Sequence, residues 1–335
     1  MGNKGLRKLQ LGDETAEGTA VAASALWRGE AAGLQDDQNL VFVEEDVGYL
    51  PGTDRTYIDR LSGTYNMPVA PLTFQQLPYI LSAGIENIIA GVQDGAGTGY
   101  VYQYDFPTTA INSITPYTLE AGDDLQAEEM NGSFVESFEL SAAGGEAWMM
   151  SAVWRGRTVT NTTFTGSIAI PAVNTALFGK TSLYIDAIGG TIGTTQIAGT
   201  FLGCTIRCNT GWKFKYAGDG YLHPTIRYFD KSAYLVEMTA VFEHDSEGVA
   251  RKTAWRAETP NLVRVRCVGP ALGTPSAYTT EIFQLDCAAK VASVPELGDQ
   301  NGNDILEITM RSRYNVTAAR HAQIICVANA LTALP

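Results

Sequence analysis

A chain of 335 residues, 45% hydrophobic and 18% charged, is long enough to bury a sizeable core and too apolar to be a disordered tail. Its formal net charge of −13 is unevenly placed: residues 1–170 hold 8 Lys+Arg against 22 Asp+Glu (−14), and residues 171–335 hold 15 against 14 (+1). Such a surface repels phosphate, which argues against tight or sequence-specific DNA binding, and no stretch approaches the roughly 18 continuous apolar residues of a membrane-crossing helix.

The charge asymmetry has two readings, an acidic half docking on a less acidic half of another copy, or a solvated acidic face. Met1-Gly2-Asn3-Lys4 is not followed by an apolar run, so no signal peptide is expected. The five cysteines (Cys204, Cys208, Cys267, Cys287, Cys326) are odd in number and form no CxxC pair. Cys204 and Cys208 share a predicted strand face about 13 Å apart, beyond disulfide reach. All five read as small buried residues in a reducing compartment.

In chain order, Leu6, Leu9 and Leu11 predict a short strand, followed by a small-residue loop and Leu26-Trp27. Leu40-Val41-Phe42-Val43 predicts another strand. Residues 44–63 are turn-rich and predict a long exposed hairpin or loop, of a length that is usually functional or engaged with a partner. Thr73 with Gln76 forms a capping-box pattern ahead of Leu77, Ile80, Leu81, Gly84, Ile85 and Ile88 at helical spacing. Alternation then predicts three strands. Tyr100, Tyr102, Tyr104 and Phe106 share one face. Phe134, Phe138 and Leu140 share another. Trp148, Met150, Ala152 and Trp154 stand opposite Met149, Val153 and Arg155. Core packing explains the tyrosine ladder better than a ligand platform.

Residues 166–178 read as a linker between two domains, 1–165 and 179–335. In the second, Leu183-Tyr184-Ile185 and then Leu202, Cys204, Ile206 and Cys208 predict strands. Tyr234 to Phe242 alternate cleanly, Asp245 caps a helix over 246–258, and Val263, Val265 and Cys267 point inward on a further strand. Asn301-Gly302 is a hairpin signal before Leu306, Ile308 and Met310, matched in the first half to Asn131-Gly132 before Phe134.

The halves share a repeat. Gly48-Tyr49-Leu50 with Thr53 and Arg55 recurs as Gly220-Tyr221-Leu222 with Thr225 and Arg227, offset by 172 (220−48), and the aromatic two residues later recurs as Tyr57 and Phe229. Thr73 and Asp245 keep the same offset. A fixed spacing near half the chain length marks a duplicated domain. The expected fold is therefore mainly β: two tandem β-sandwich or partial-barrel domains, each with one flanking α-helix.

No catalytic signature accompanies this pattern, so no enzyme, cofactor or metal is expected. His223, His244 and His321 lack metal spacing and there is no GxSxG motif. Asp94 to Gly99 follows a helix instead of opening one, against phosphate binding. Asp299 to Asp304 has its Gly one position early for a calcium loop and reads as a tight turn. Asp123-Asp124, Glu128-Glu129 and Glu44-Glu45-Asp46 read as solvent-facing loop acids.

Several stretches together resemble the major tail tube protein of long, non-contractile phage tails: Lys8-Leu9-Gln10-Leu11-Gly12-Asp13-Glu14-Thr15, Phe74-Gln75-Gln76-Leu77-Pro78-Tyr79, Thr210-Gly211-Trp212-Lys213, Phe242-Glu243-His244-Asp245 and Gly298-Asp299-Gln300-Asn301-Gly302-Asn303-Asp304-Ile305. They span nearly the whole chain, and their joint order carries the likeness. The resemblance implies a β-sandwich or partial barrel with one helix, in rings of six domains that stack into a tube in the virion tail. With two domains per chain, three chains would make a pseudo-sixfold ring. It further implies a tape-measure protein and tail-end proteins as partners, synthesis in the host cytoplasm, and genome passage through the lumen without specific binding. Tyr49, Leu50, Arg55, Tyr57, Tyr221, Leu222, Arg227 and Phe229, on the two repeat loops, are the candidate contacts between rings or subunits. Other β-rich virion or injection components, such as a secretion-tube, baseplate or head-tail joining protein, share this chemistry. A carbohydrate-binding or hydrolytic β protein has only the aromatic strands in its favour.

Overall fold

Alternating apolar segments pair antiparallel throughout the chain, and the fold is mainly β with two α-helices. The structure, a computed structural model, describes residues 2–334. The first half contains β1 (Lys8–Asp13), β2 (Ala25–Leu26), β3 (Gln35–Phe42), β4 (Thr56–Pro71), α1 (Leu77–Gly84), β5 (Val92–Gln93), β6 (Gly99–Asp105), β7 (Tyr117–Gly122), β8 (Ala127–Ala143), β9 (Met149–Gly156) and β10 (Val159–Thr162). The second contains β11 (Thr181–Ala187), β12 (Gln196–Ile197), β13 (Phe201–Asn209), β14 (Trp212–Lys215), β15 (Ile226–Phe229), β16 (Leu235–Glu243), α2 (Ser246–Arg256), β17 (Asn261–Ala271), β18 (Thr280–Ser293), β19 (Gly298–Gln300), β20 (Asn303–Ser312) and β21 (Ala322–Asn329).

One pairing order occurs twice. In the first half it runs β2-β1-β7-β8-β9-β4-β3, with β10 also on β8. In the second it runs β12-β11-β17-β18-β20-β16-β13, with β21 also on β18. Even the bulges correspond: β8 shifts register between Val135 and Ser137, and β18 between Val291 and Ser293. Bulges re-aim a strand, so a matched pair keeps both halves on one curvature.

β5 and β6 stand between helix and β7 in the first half only. The offset therefore falls from 172 at Thr73/Asp245 to 156 at Val135/Val291. This corrects the match of Asn131-Gly132 to Asn301-Gly302. Asn301 (φ 56°) and Gly302 (φ 85°) form the tight turn joining β19 to β20, where both residues need the left-handed region. Asn131 and Gly132 lie inside β8, where no hairpin turns. Glu128 and Glu129 likewise lie on β8 and pair with β10, so they are strand residues instead of loop acids. The bulge also separates residues read as neighbours: Phe134 packs with Ile114 and Trp212, whereas Phe138 and Leu140 face the main core.

The two helices differ. All eight residues of α1 are buried, because Leu-Pro-Tyr-Ile-Leu-Ser-Ala-Gly is apolar or small all round and packs against β8 and the inserted β6. Thr73 is not its N-cap. Gln76 holds that position, no side chain caps the first turn, and the Thr73 carbonyl accepts from the amides of Gln76 and Leu77. Pro78 in the first turn removes one donor that would otherwise need a cap. α2 follows the expected rule: the Asp245 carboxylate accepts from the amides of Glu247 and Gly248, and only Gly248 is buried.

The halves join through two strand seams. Ser137–Ala143 of β8 pair with Gly203–Asn209 of β13, and β6 pairs with β21. One wall of sheet thus runs β3-β4-β9-β8-β13-β16-β20-β18, four strands from each half, and a single hydrophobic core extends from Leu9 to Leu334. Residues 166–178 cross this junction with Ala176 buried, its backbone bonded to Leu72 and Trp148. Beside it, the fully buried Glu281 accepts from Gln75 (2.7 Å), Asn174 (2.9 Å) and the Asn329 amide (3.0 Å), and burial raises its pKa.

Candidate functional site

The two repeat loops occupy equivalent hairpin tips. Residues 43–55 connect β3 to β4, and residues 216–225 connect β14 to β15. Gly48 (φ 86°) and Gly220 (φ 91°) both take the left-handed conformation, which explains why glycine leads each copy. In each tip a threonine hydroxyl donates to a carboxylate, Thr53 to Glu45 (2.8 Å) and Thr225 to Asp219. Arg55 adds an ion pair to Glu45 at 2.5 Å, and these two partners lower the Glu45 carboxyl pKa.

Their surroundings then diverge. The first tip is exposed: Tyr49 is 71% accessible, Leu50 is fully exposed, and Leu40, Phe42, Val47 and Tyr57 also face solvent. Residues 35–61 combine these apolar groups with seven carboxylates (Asp36, Asp37, Glu44, Glu45, Asp46, Asp54, Asp59) against Arg55 and Arg60. A lone two-stranded ribbon with apolar side chains on its surface is marginal in water and suits a docking role.

The second tip is fastened to the first half. The Leu222 carbonyl accepts from the Leu61 amide (2.9 Å), and the Tyr216 hydroxyl donates to the Leu61 carbonyl (3.3 Å). Arg227 pairs with Glu17 (3.2 Å) and stacks over Trp212 at 5.0 Å, and burial lowers its pKa. Arg157 reaches the same Glu17 (2.9 Å) and the Thr225 carbonyl (3.2 Å). Phe229 packs on Trp212 and Tyr234 with centroids 5.7 and 5.3 Å away. Of the eight sequence-selected residues, Tyr49, Leu50, Arg55, Tyr57 and Tyr221 are thus surface groups. Arg227 and Phe229 hold the molecule together, and Leu222 does so through its backbone while its side chain stays partly open. Glu17, Leu61 and Arg157 complete the fastening. No local pattern marks them, because their partners lie 68 to 210 positions away along the chain (225−157 and 227−17).

Sheet edges are the second feature. β3 pairs only with β4, and beyond Ala289 the outer side of β18 and β19 carries no strand among the described residues. Unpaired edges offer rows of donors and acceptors to another strand.

A cleft of 510 Å³ lies beside His321, between Pro107–Ile111, Tyr234 and Arg313-Tyr314. Its lining has no carboxylate, and the Ser312 hydroxyl donates to the carbonyls of Ala288 and His321 instead of to an imidazole. Tyr234 meets the His321 ring at 3.1 Å. Burial first, opposed by a backbone hydrogen bond at Ser312 and aided by the nearby Arg313, pushes the His321 pKa down to about 4. The five cysteines are free and buried, and burial raises the pKa of every thiol. Among the described residues, no three His, Cys, Asp or Glu side chains stand close enough to hold a metal ion, and no helix is long and apolar enough to cross a membrane.

His321 makes acid stability testable. A histidine held neutral in the folded state contributes stability that is complete above about pH 6.5 and lost as pH falls toward 4. The depression corresponds to about 3 kcal/mol across that window. Glu14 and Glu281 have raised values, from burial, and act in the opposite sense on acidification. Urea midpoints at pH 7 and pH 4 should therefore converge in His321→Gln relative to the parent. Parallel shifts in both proteins would show that His321 does not carry the effect.

No protein-family model matches this chain, and none of the curated proteins matches it.

Proposed function

We propose that this chain is a structural protein that polymerises into stacked rings, forming a tube of the phage tail type that conducts a genome to the host. The observation that supports this most is the repeated four-strand unit. Its two copies already continue one another through β8 and β13, and the outer edge of each end is still open. A sheet built this way loses its edges only by closing around a ring. The exposed first tip supplies a contact of a different kind, made by apolar side chains instead of a strand edge, and head-to-tail contacts of that sort propagate into filaments.

The polar face of the joined wall supports the conduit reading. It carries Glu139–Arg207 (2.7 Å), Glu237–Arg311 (2.7 Å) and Glu136–Arg155 (2.8 Å), so each arginine already faces a carboxylate. Pairing of these three arginines and the chain's net negative charge weaken the attraction for DNA, with Lys290, opposite Arg311 on β18, the exposed cation that no carboxylate among the described residues pairs. The tyrosines of β6 bear on the competing carbohydrate reading: Tyr102 and Tyr104 are fully buried and present no platform for a sugar.

On this reading the chain acts in the virion tail, three copies close a pseudo-sixfold ring, and the tape-measure and tail-end proteins are its partners. Negative-stain microscopy of concentrated protein should show tubes about 100 Å wide, the scale of a ring of six domains of this size. End-on averages and the mass of a single ring should give three chains. Six chains would remove the pseudo-sixfold arrangement. Discrete rings that never stack, under all assembly conditions, would favour a baseplate or joining component instead.

A further inference from the structure

We propose that the cleft beside His321 is a binding site for a small organic carboxylate carrying a flat apolar body. None of its lining residues belongs to the exposed tip or to an open sheet edge, so the site does not depend on the self-assembly reading. It is built where the two halves meet. Residues 107–111, after β6, form one wall, and the end of β15, the start of β16 and the end of β20 form the others. Its volume of 510 Å³ falls within the range of clefts that hold small ligands.

The walls are fixed by the fold itself. Asn112 pins the first by donating to the carbonyls of Asp105 (2.5 Å) and Ile85 (3.2 Å). The Asp230 carboxylate holds the turn after β15, accepting from the Ser232 amide (2.9 Å) and hydroxyl (2.6 Å). Ser312 ties the end of β20 to the carbonyls of Ala288 (3.1 Å) and His321 (3.3 Å). Between these walls the rings of Phe229, Tyr234 and His321 pack in series, with centroids 5.3 and 5.5 Å apart. A preformed slot of this kind spares an incoming apolar group the cost of ordering its own site.

The charge of the lining selects an anion. Lys231 and Arg313 both line the cleft and are exposed. Among the described residues neither has a carboxylate within ion-pair distance. The chain carries a net charge of −13, yet this one cleft gathers two unpaired cations and no acid. An anion entering it meets attraction without a competing carboxylate.

His321 supplies a third group, on a side chain only 8% exposed. Its Nδ1 lies 3.1 Å from the Tyr234 hydroxyl. That hydroxyl is 3.4 Å from the Pro107 carbonyl, too long for a good O–H···O bond, so its proton goes to Nδ1. At neutral pH the ring is uncharged, because burial first, and Arg313 beside it, hold its pKa down to about 4. Its one ring proton therefore sits on Nε2. Nε2 has no acceptor among the described residues and is not sealed off. A carboxylate oxygen is the acceptor that suits this donor and both cations, while the ring stack takes the apolar body.

Histidine resonances test the site. The chain has three histidines, and His223 and His244 do not line the cleft. The full chain, labelled with carbon-13 at the histidine Cε1 atoms, is titrated at neutral pH with naphthylacetate, with naphthylethanol and with acetate. The His321 signal is identified by its loss in His321→Gln. Naphthylacetate should shift that signal saturably, leave the other two in place, and bind about tenfold tighter than naphthylethanol, which has the body without the charge. Lys231→Gln and Arg313→Gln should each weaken it about threefold and together about tenfold. Both side chains are exposed, so these variants keep the fold. Equal affinity for acid and alcohol would overturn the proposal. So would acetate binding as tightly as naphthylacetate, or a bound acid that leaves the His321 signal unmoved.

Discussion

Trp148→Ala should be the most destabilising single substitution of those considered, at about 4 kcal/mol, because it opens a cavity where three parts of the chain meet. The indole is fully buried. It lies 6.1 Å from the Phe178 ring in the crossing segment and 5.5 Å from Phe283 on β18, and its Nε1–H donates to Thr181 at 2.9 Å. Truncation removes the transfer energy of the largest side chain and leaves the Thr181 hydroxyl without that donor. A fall in Tm of about 6 °C is expected for a cooperative unit of this size. The form of the transition is as informative as its midpoint. Because one core spans both halves and two strand seams join them, parent and variant should each melt in a single transition. Two transitions in calorimetry, with only one of them shifted, would mean that the halves unfold independently.

Tyr49→Ala combined with Tyr221→Ala should act in the opposite way, abolishing assembly while leaving the fold intact. Both rings are surface groups, 71% and 61% exposed, and substitutions at such positions usually change stability by no more than about 0.5 kcal/mol. If both anchor ring-to-ring contacts, each is worth about 2 kcal/mol, and together they raise the critical concentration for tube formation several hundredfold. Sedimentation of assembled material across a concentration series reads this directly. Arg227→Ala is the contrast. It removes the pairing with Glu17 and the stack on Trp212, so it should lower stability before it touches assembly. Loss of folding in the double tyrosine variant would place the tips in the folded unit, and unchanged sedimentation would remove them as ring contacts.

The two tips show what a repeat can and cannot disclose. Gly48 and Gly220 share a left-handed backbone, and Thr53 and Thr225 share a hydroxyl-to-carboxylate bond, because these are short-range needs of one hairpin. The fates of Arg55 and Arg227 depend on what lies across the fold. One meets Glu45 ten residues away, the other meets Glu17 from the far half. Equal motifs therefore became one free tip and one fastened tip.

Strands with one face in water were legible, since β9, β16 and β20 alternate inward and outward as their residues do. β18 was not. Its residues 281–289 are buried on both faces, with Glu281, Gln284 and Asp286 among the apolar ones, so no period of two survives. These polar groups are tolerated because partners satisfy them: Arg264 grips Asp286 with bonds of 2.7 and 2.6 Å, and Gln75 and Asn174 reach Glu281. The bulge after Val135 was equally silent, and it moved Phe134 to the opposite face from Phe138.

By itself the sequence determined the class of fold, the repeat at a spacing of 172, the capped surface helix α2 and the turn at Asn301-Gly302, because each depends on residues a few positions apart or on a repeat that can be counted. Only the tertiary structure decided that the halves share one core, that β5 and β6 enter the first half alone, and that α1 is wholly buried. It also decided which edges of the eight-strand wall stay open. Strand order and edge exposure come from pairings between segments far apart in the chain. Their hydrogen bonds are made by backbone groups that every residue other than proline carries in full, so side-chain pattern does not record them.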